Sequence, residues 1–168
     1  EAVYIPFFNR NKDWGLIIVP NRVDDERIKA IEKQYDGTCV RYTRATMENI
    51  RNAGCIIIDC YGLLSAVYKY ADLAFVGGGF GRGVHSVLEA AVYSVPLLVG
   101  PENSRSCEVQ SLFECGGAVE TTDAYDFGEK VKMLYNDKDY SARIAKAAGD
   151  YVLSNAGATA RIFNEIGL

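Results

Sequence analysis

Short apolar runs alternate with amphipathic stretches along this chain. Leu16 to Val19 (LIIV) is a continuous apolar run stopped by Pro20, and it reads as a buried strand. Asp24, Asp25 and Glu26 then supply the acidic first turn of a helix. That helix should run to about Tyr35 with Val23, Ile28 and Ile31 inward, and Gly37 ends it. Residues 38–42 (TCVRY) predict a short strand, Thr43 to Asn52 a helix, and Cys55 to Asp59 (CIIID) a third strand. A helix over 62–70 follows, with Leu63, Leu64, Val67 and Tyr68 on one side. Leu73 to Val76 is the fourth strand, His85 to Tyr93 a helix, and 97–99 (LLV) the fifth strand. A helix near 106–115 leads to a weak strand, Ala118 to Thr121. Asp123 can cap a helix that runs to about Tyr135. Helices over roughly 138–153 and 157–166 close the chain, and residues 1–10 could be the end of another, with Pro6 inside it.

Strand and helix thus alternate six times. Near-continuous apolar strands are those covered on both faces, which is the condition of a parallel sheet. The expected class is α/β: an open, doubly wound, Rossmann-like parallel sheet of about six strands with a helical tail. The 168 residues suit a single domain, 1–168. The chain begins at Glu1 without an initiator methionine, which reads as a fragment of something longer.

Composition narrows the function classes. With 49% hydrophobic and 24% charged residues the chain suits a globular core. A net charge of −4 disfavours a nucleic-acid backbone as partner, but a small anion needs no net positive charge. The five cysteines (Cys39, Cys55, Cys60, Cys107, Cys115) show no CxxC spacing, and His85 is remote from all of them. They read as reduced, buried thiols rather than a zinc site. No apolar run approaches the roughly 20 residues that span a bilayer.

Ligands on doubly wound sheets bind beyond the carboxyl ends of the strands. The most unusual segment of the chain falls there: GGGFGRGVHSVLEAA, with five glycines in the seven residues Gly77 to Gly83. Glycines let the backbone approach a ligand and take positive φ, and the following helix start offers free N–H groups to a phosphate. The dinucleotide fingerprint fails, because Arg82 and Val84 stand where glycine is needed. A Walker A loop fails because Val84 replaces the lysine. A tight structural connection suits the same glycine excess. Ser86 and Glu89 fit an S-x-x-E capping box, while Glu89 facing the cleft could instead accept both hydroxyls of a ribose. His85, four residues earlier, would share its helix face, either as a structural hydrogen-bond partner or as a site residue.

The stretch IIIDCYGLLSAVYKYADLAFVGGGFGRGVHSVLEAAVYSVPLLVGP strongly resembles the C-terminal domain of Kdo transferases. These are membrane-associated glycosyltransferases of the GT-B fold, and the string is most like those from the Bacteroides side of the Gram-negative bacteria. The likeness runs from about Leu16 to Ala118. It rests on the order of a Gly-Leu-Leu turn, a tyrosine-rich helix, AD-hydrophobic-VGGG, GxHxxLEAA, PLLVGP and a downstream glutamate.

The resemblance implies a donor, CMP-Kdo, and no metal or other cofactor. Gly62 would belong to the turn near the nucleotide, and Gly78 and Gly79 to the loop facing phosphate and sugar. His85 and Ser86 would stand at the helix start, and Glu89 would hold the ribose. Arg41, Tyr42 and Glu108 are weaker correspondences. This chain has Ser86 where the family usually has asparagine, Pro20-Asn21 for a proline-histidine pair, and Leu63 for an acidic residue. The family's catalytic base, its lipid A precursor site and its contact with the cytoplasmic face of the inner membrane lie in an N-terminal acceptor domain without counterpart here. The expectation is a fragment, truncated at its N-terminal edge, that binds donor but is inactive alone. The alternatives are another GT-B enzyme using a UDP-sugar, a related sugar-nucleotide epimerase, or a non-catalytic GT-B-like interaction module.

Overall fold

Each expected strand forms, and all but the fifth are shorter than the segment that announces them. The structure, a computed structural model, describes residues 1–81 and 83–166, with only the backbone described at 159–161 and 164. The strands are β1 (Leu16–Ile18), β2 (Cys39–Arg41), β3 (Cys55–Ile57), β4 (Ala74–Val76), β5 (Leu97–Val99) and β6 (Ala118–Glu120). The helices are α1 (Ile5–Arg10), α2 (Asp25–Glu32), α3 (Met47–Ile50), α4 (Leu64–Tyr68) and α5 (Leu88–Ala91), then α6 (Cys107–Glu114), α7 (Ala124–Asn136), α8 (Lys138–Asn155) and α9 (Ala158–Glu165). Two compact units divide the chain. One comprises Glu1–Val67 with Thr122–Lys130, the other Tyr68–Thr121 with the segment from Val131 onward.

The first unit holds a three-stranded parallel sheet in the order β1-β3-β2. Leu16 pairs with Cys55 and Ile18 with Ile57, and on the other side Cys39 pairs with Cys55. Asp24 caps α2 by accepting the Arg27 amide at 3.0 Å, and the acidic turn then presents Ile28 and Ile31 to the core as expected. Pro6 lies in the first turn of α1, where a missing N–H removes no helical bond. Behind it, Phe7 meets Phe8, Trp14 and Phe127 edge to face.

The second unit holds the other parallel sheet, in the order β4-β5-β6. All three residues of β5 are fully buried, which is why LLV shows no alternation. Each such side chain contributes about 1.5–3 kcal/mol of burial. α8 packs against α5, α6 and β5, with Ala148 and Gly149 buried along it. Asp123, which belongs to the first unit, caps α7 as expected, accepting the Tyr125 and Asp126 amides at 2.8 Å each.

Four helices are shorter than their periodicity suggests, the first being α2, which ends at Glu32 rather than near Tyr35. Residues 43–52 divide into a 3-10 turn, Tyr42–Arg44, and α3, because Thr46 and Asn49 form a capping box that restarts the helix. The stretch 62–70 is helical only over α4. The stretch 85–93 is helical only over α5, and the His85 amide donates back to the Gly77 carbonyl at 2.9 Å. The cysteines are free, but of the five only Cys55 is buried; Cys107 and Cys115 are exposed. They lie on helix and loop surfaces rather than beneath them. No helix among the described residues is long and apolar enough to cross a membrane.

Candidate functional site

In the second unit the parallel register sets three strand ends side by side. Val76 pairs with Val99, and Val99 with Glu120. The segments leaving β4, β5 and β6 are therefore neighbours at the carboxyl edge, where open α/β sheets bind ligands.

The glycine loop leaving β4 doubles back on itself. Gly78 has φ +95°, and a Cβ there would lie 2.2 Å from the Gly83 carbonyl oxygen. The Phe80 amide donates to the Gly78 carbonyl at 2.8 Å, and the His85 amide to Gly77. Gly79 is buried against the turn that leaves β5. A Cβ on Gly79 would sit 2.8 Å from Gly100 Cα, and the Glu102 amide donates to the Gly79 carbonyl at 2.9 Å. Backbone meets backbone there, and only glycine fits. Arg82, which the sequence places in this loop, lies outside the described residues.

Beyond the loop, α5 begins without a side-chain cap. Its N-cap residue is Val87, so the Ser86–Glu89 capping box does not form. The amides of Ser86, Val87 and Leu88 donate to no acceptor among the described residues. These are orphan donors at a helix start. Because α5 is only four residues long, hydrogen bonding rather than a macrodipole is what the start offers an anion. His85 is exposed and precedes the helix, so it does not share a helical face with Glu89. Glu89 is half-buried in the first turn. Burial and, after it, the Glu89 charge push the Tyr68 phenol above its ordinary pKa, which places that carboxylate beside an aromatic ring packed on the core.

The remaining residues of the expected site are distributed between the two units. Glu108 lies exposed in the first turn of α6 and accepts the Ser106 hydroxyl at 3.2 Å. In the first unit, Gly62 takes φ +89° in an open turn after β3. Arg41 is engaged by α2: its Nε and Nη2 donate to the Glu32 carboxylate at 2.7 and 2.9 Å, and its Nη1 to Asp25 at 2.6 Å. Tyr42 is exposed at the start of the 3-10 turn.

Sequence reasoning missed Asn103. It follows the Gly100-Pro101 turn inside the polar run ENSRS, which reads as surface, yet it is one of two buried polar residues identified among the described residues, the other being Thr121. Its only signal was its place beyond the end of a buried strand.

No protein-family model matches the chain. Relatives do. The 3-deoxy-D-manno-octulosonic acid transferase of Rickettsia prowazekii is 26% identical over 146 residues, covering 81% of this chain and 31% of the relative. That of Haemophilus influenzae is 27% identical over 154 residues, 89% and 36%. That of Chlamydia muridarum is 35% identical over 105 residues, 61% and 24%. The chain spans about a third of the length of the curated relatives it matches. Among solved structures, the C-terminal CMP-Kdo binding domain of WaaA from Acinetobacter baumannii superimposes with TM-score 0.76 at 21% identity, covering 88% of this chain and 78% of that one. The C-terminal domain of a group 1 glycosyl transferase (LpcC) from Francisella tularensis follows, with TM-score 0.57 at 14% identity, 92% and 75%. These relatives bear out the resemblance to Kdo transferases. The superposition bears out the Rossmann-like α/β class, that of the C-terminal half of a GT-B enzyme.

Proposed function

We propose that this chain is the donor-binding part of a Kdo transferase, that it takes CMP-Kdo, and that its parent enzyme passes Kdo to a lipid A precursor at the inner membrane of a Gram-negative cell. The observation that carries the reading is the junction at residues 77–89. A loop that requires glycine at 78 and 79 leads to three amides without an acceptor among the described residues and to a carboxylate not spent on capping.

In this reading the phosphate of CMP lies against the amides of Ser86 to Leu88 and the backbone of Gly78 and Gly79. His85 flanks it, and Glu89 accepts the ribose hydroxyls. An acceptor hydroxyl attacks the anomeric carbon of Kdo. The new C–O bond forms as the bond from that carbon to the phosphate oxygen breaks, and CMP leaves with the electron pair. Preorganised amides aimed at that oxygen stabilise the developing charge without a metal. The acceptor's proton passes to a base in the parent enzyme, beyond the part of the relatives that this chain spans.

Calorimetry of CMP against the chain tests the assignment. The expected affinity is on the order of millimolar or tighter, unchanged by EDTA. Glu89→Ala should weaken it about tenfold or more, the value of hydrogen bonds to a charged acceptor. No heat at millimolar CMP, or equal affinity in Glu89→Ala, would count against the site. A preference for UMP or UDP over CMP in competition would favour a UDP-sugar enzyme instead.

A further inference from the structure

We infer that Asn103 is a positioning residue for the donor site: it touches no ligand but locks the turn that holds the glycine loop in its binding shape. The inference rests on the donor-site reading above and adds to it the group that keeps the cradle formed.

Asn103 is 6% exposed, and burying a carboxamide is unfavourable unless every polar atom finds a partner. Here each one does. Its Nδ2 donates to the Gly100 carbonyl at 2.9 Å and to Glu120 Oε2 at 2.8 Å. Its Oδ1 accepts Gln110 Nε2 at 2.9 Å. Its main chain adds three more bonds: its N–H donates to the Pro101 carbonyl at 2.9 Å, and its carbonyl accepts the Ser106 amide at 3.0 Å and Gln110 Nε2 at 3.3 Å. One side chain thus ties together the end of β5, the end of β6 and the first turns of α6. Two donors must face two acceptors while one acceptor faces a donor, and among side chains of this length only asparagine satisfies that set.

The turn so fixed is the one that grips Gly79. Gly100 leaves no room for a Cβ on Gly79, and the Glu102 amide holds the Gly79 carbonyl. When the turn loosens, the loop spends less time in the shape that presents its amides, and the apparent affinity falls by the fraction of time lost. Asn103→Asp removes both donors at nearly constant volume and sets a second carboxylate against Glu120, so the turn should open.

The test compares the wild-type chain, Asn103→Asp and Asn103→Asp/Glu120→Gln at a temperature where all three are fully folded. It reads hydrogen exchange at the Glu102 amide and CMP affinity. Asn103→Asp is expected to speed exchange and weaken CMP by about tenfold each, as loss of a charge-assisted bond implies. Glu120→Gln in the double variant restores a donor–acceptor pair with its polarity reversed, and should recover part of both losses. Should Asn103→Asp fail to fold, Gln110→Ala, which removes the Gln110 bonds to Oδ1 and to the Asn103 carbonyl but leaves both Nδ2 bonds, should show a smaller effect of the same sign. Exchange that speeds with CMP affinity unchanged, or no change in either, overturns the inference. A wild-type chain that itself ignores CMP overturns the donor-site reading, while the exchange arm still decides whether Asn103 holds the loop.

Discussion

Gly79 and Gly100 approach each other backbone to backbone, and a single added methyl group on either has nowhere to go. Gly79→Ala should therefore lower stability by about 1–3 kcal/mol, the range for overpacking a closed site, and thermal or urea denaturation would measure it. A loss within about 0.5 kcal/mol, the range of ordinary surface substitutions, would mean that the loop and the turn part easily. The glycines were legible because five in seven residues is a signal no surface loop needs. Asn103 was not, because polarity in a sequence reads as exposure and only its place between the ends of β5 and β6 and helix α6 reverses it. The cysteines erred the other way, since their hydrophobic reputation hid the exposure of Cys107 and Cys115. In the first unit, Cys39 on the neighbouring strand and then burial push the Cys55 thiol above its ordinary pKa, while the presence of Cys55 lowers that of Cys39. Alkylation of the folded chain should modify Cys39, Cys107 and Cys115 while sparing Cys55 until denaturant is added. Mass spectrometry of the digests would check this, and early labelling of Cys55 would contradict its packing.

At the scale of elements, apolar runs located β1, β3, β4 and β5, although only β5 is buried at every residue. Helix lengths were less legible. Periodicity sees side chains but not backbone competition, so it missed the Gly77 carbonyl that accepts the His85 amide and the Thr46–Asn49 box that divides residues 43–52. Arg41 shows the same limit. The resemblance made it a weaker correspondence to a site residue, while the structure joins it to α2 through Glu32 and Asp25. Hydrogen bonds from Lys29 and then Arg41 lower Asp25 from 3.8 to about 2, and Arg41 lowers Glu32. A folded pKa below the unfolded one contributes stability above the unfolded value, and that contribution is lost as pH falls through the folded value. For Asp25 the loss falls between about pH 3.8 and pH 2. Both carboxylates are largely solvated, so the effect is small. Arg41→Met should flatten that acid limb in denaturation midpoints taken across this window. An unchanged slope would show that the ion pairs contribute nothing to holding β2 on α2.

At the scale of the whole molecule, fold and kinship rest on different grounds. The parallel strand order and the WaaA superposition speak to the fold, and the relatives' identity over most of the chain speaks to kinship. Neither places a ligand. The proposed donor site rests instead on the coincidence, at one carboxyl edge, of a glycine cradle, amides without an acceptor among the described residues, and a carboxylate not used as a cap. The most direct test maps where CMP sits, by amide shift perturbation on the isotope-labelled chain or by a crystal of the complex. The account predicts that the largest changes, or the phosphate itself, fall at Gly78, Gly79 and Ser86 to Leu88, with the Glu89 carboxylate on the ribose. CMP seated elsewhere, or Glu89 folded back onto the amides of α5 while the nucleotide is bound, would contradict it.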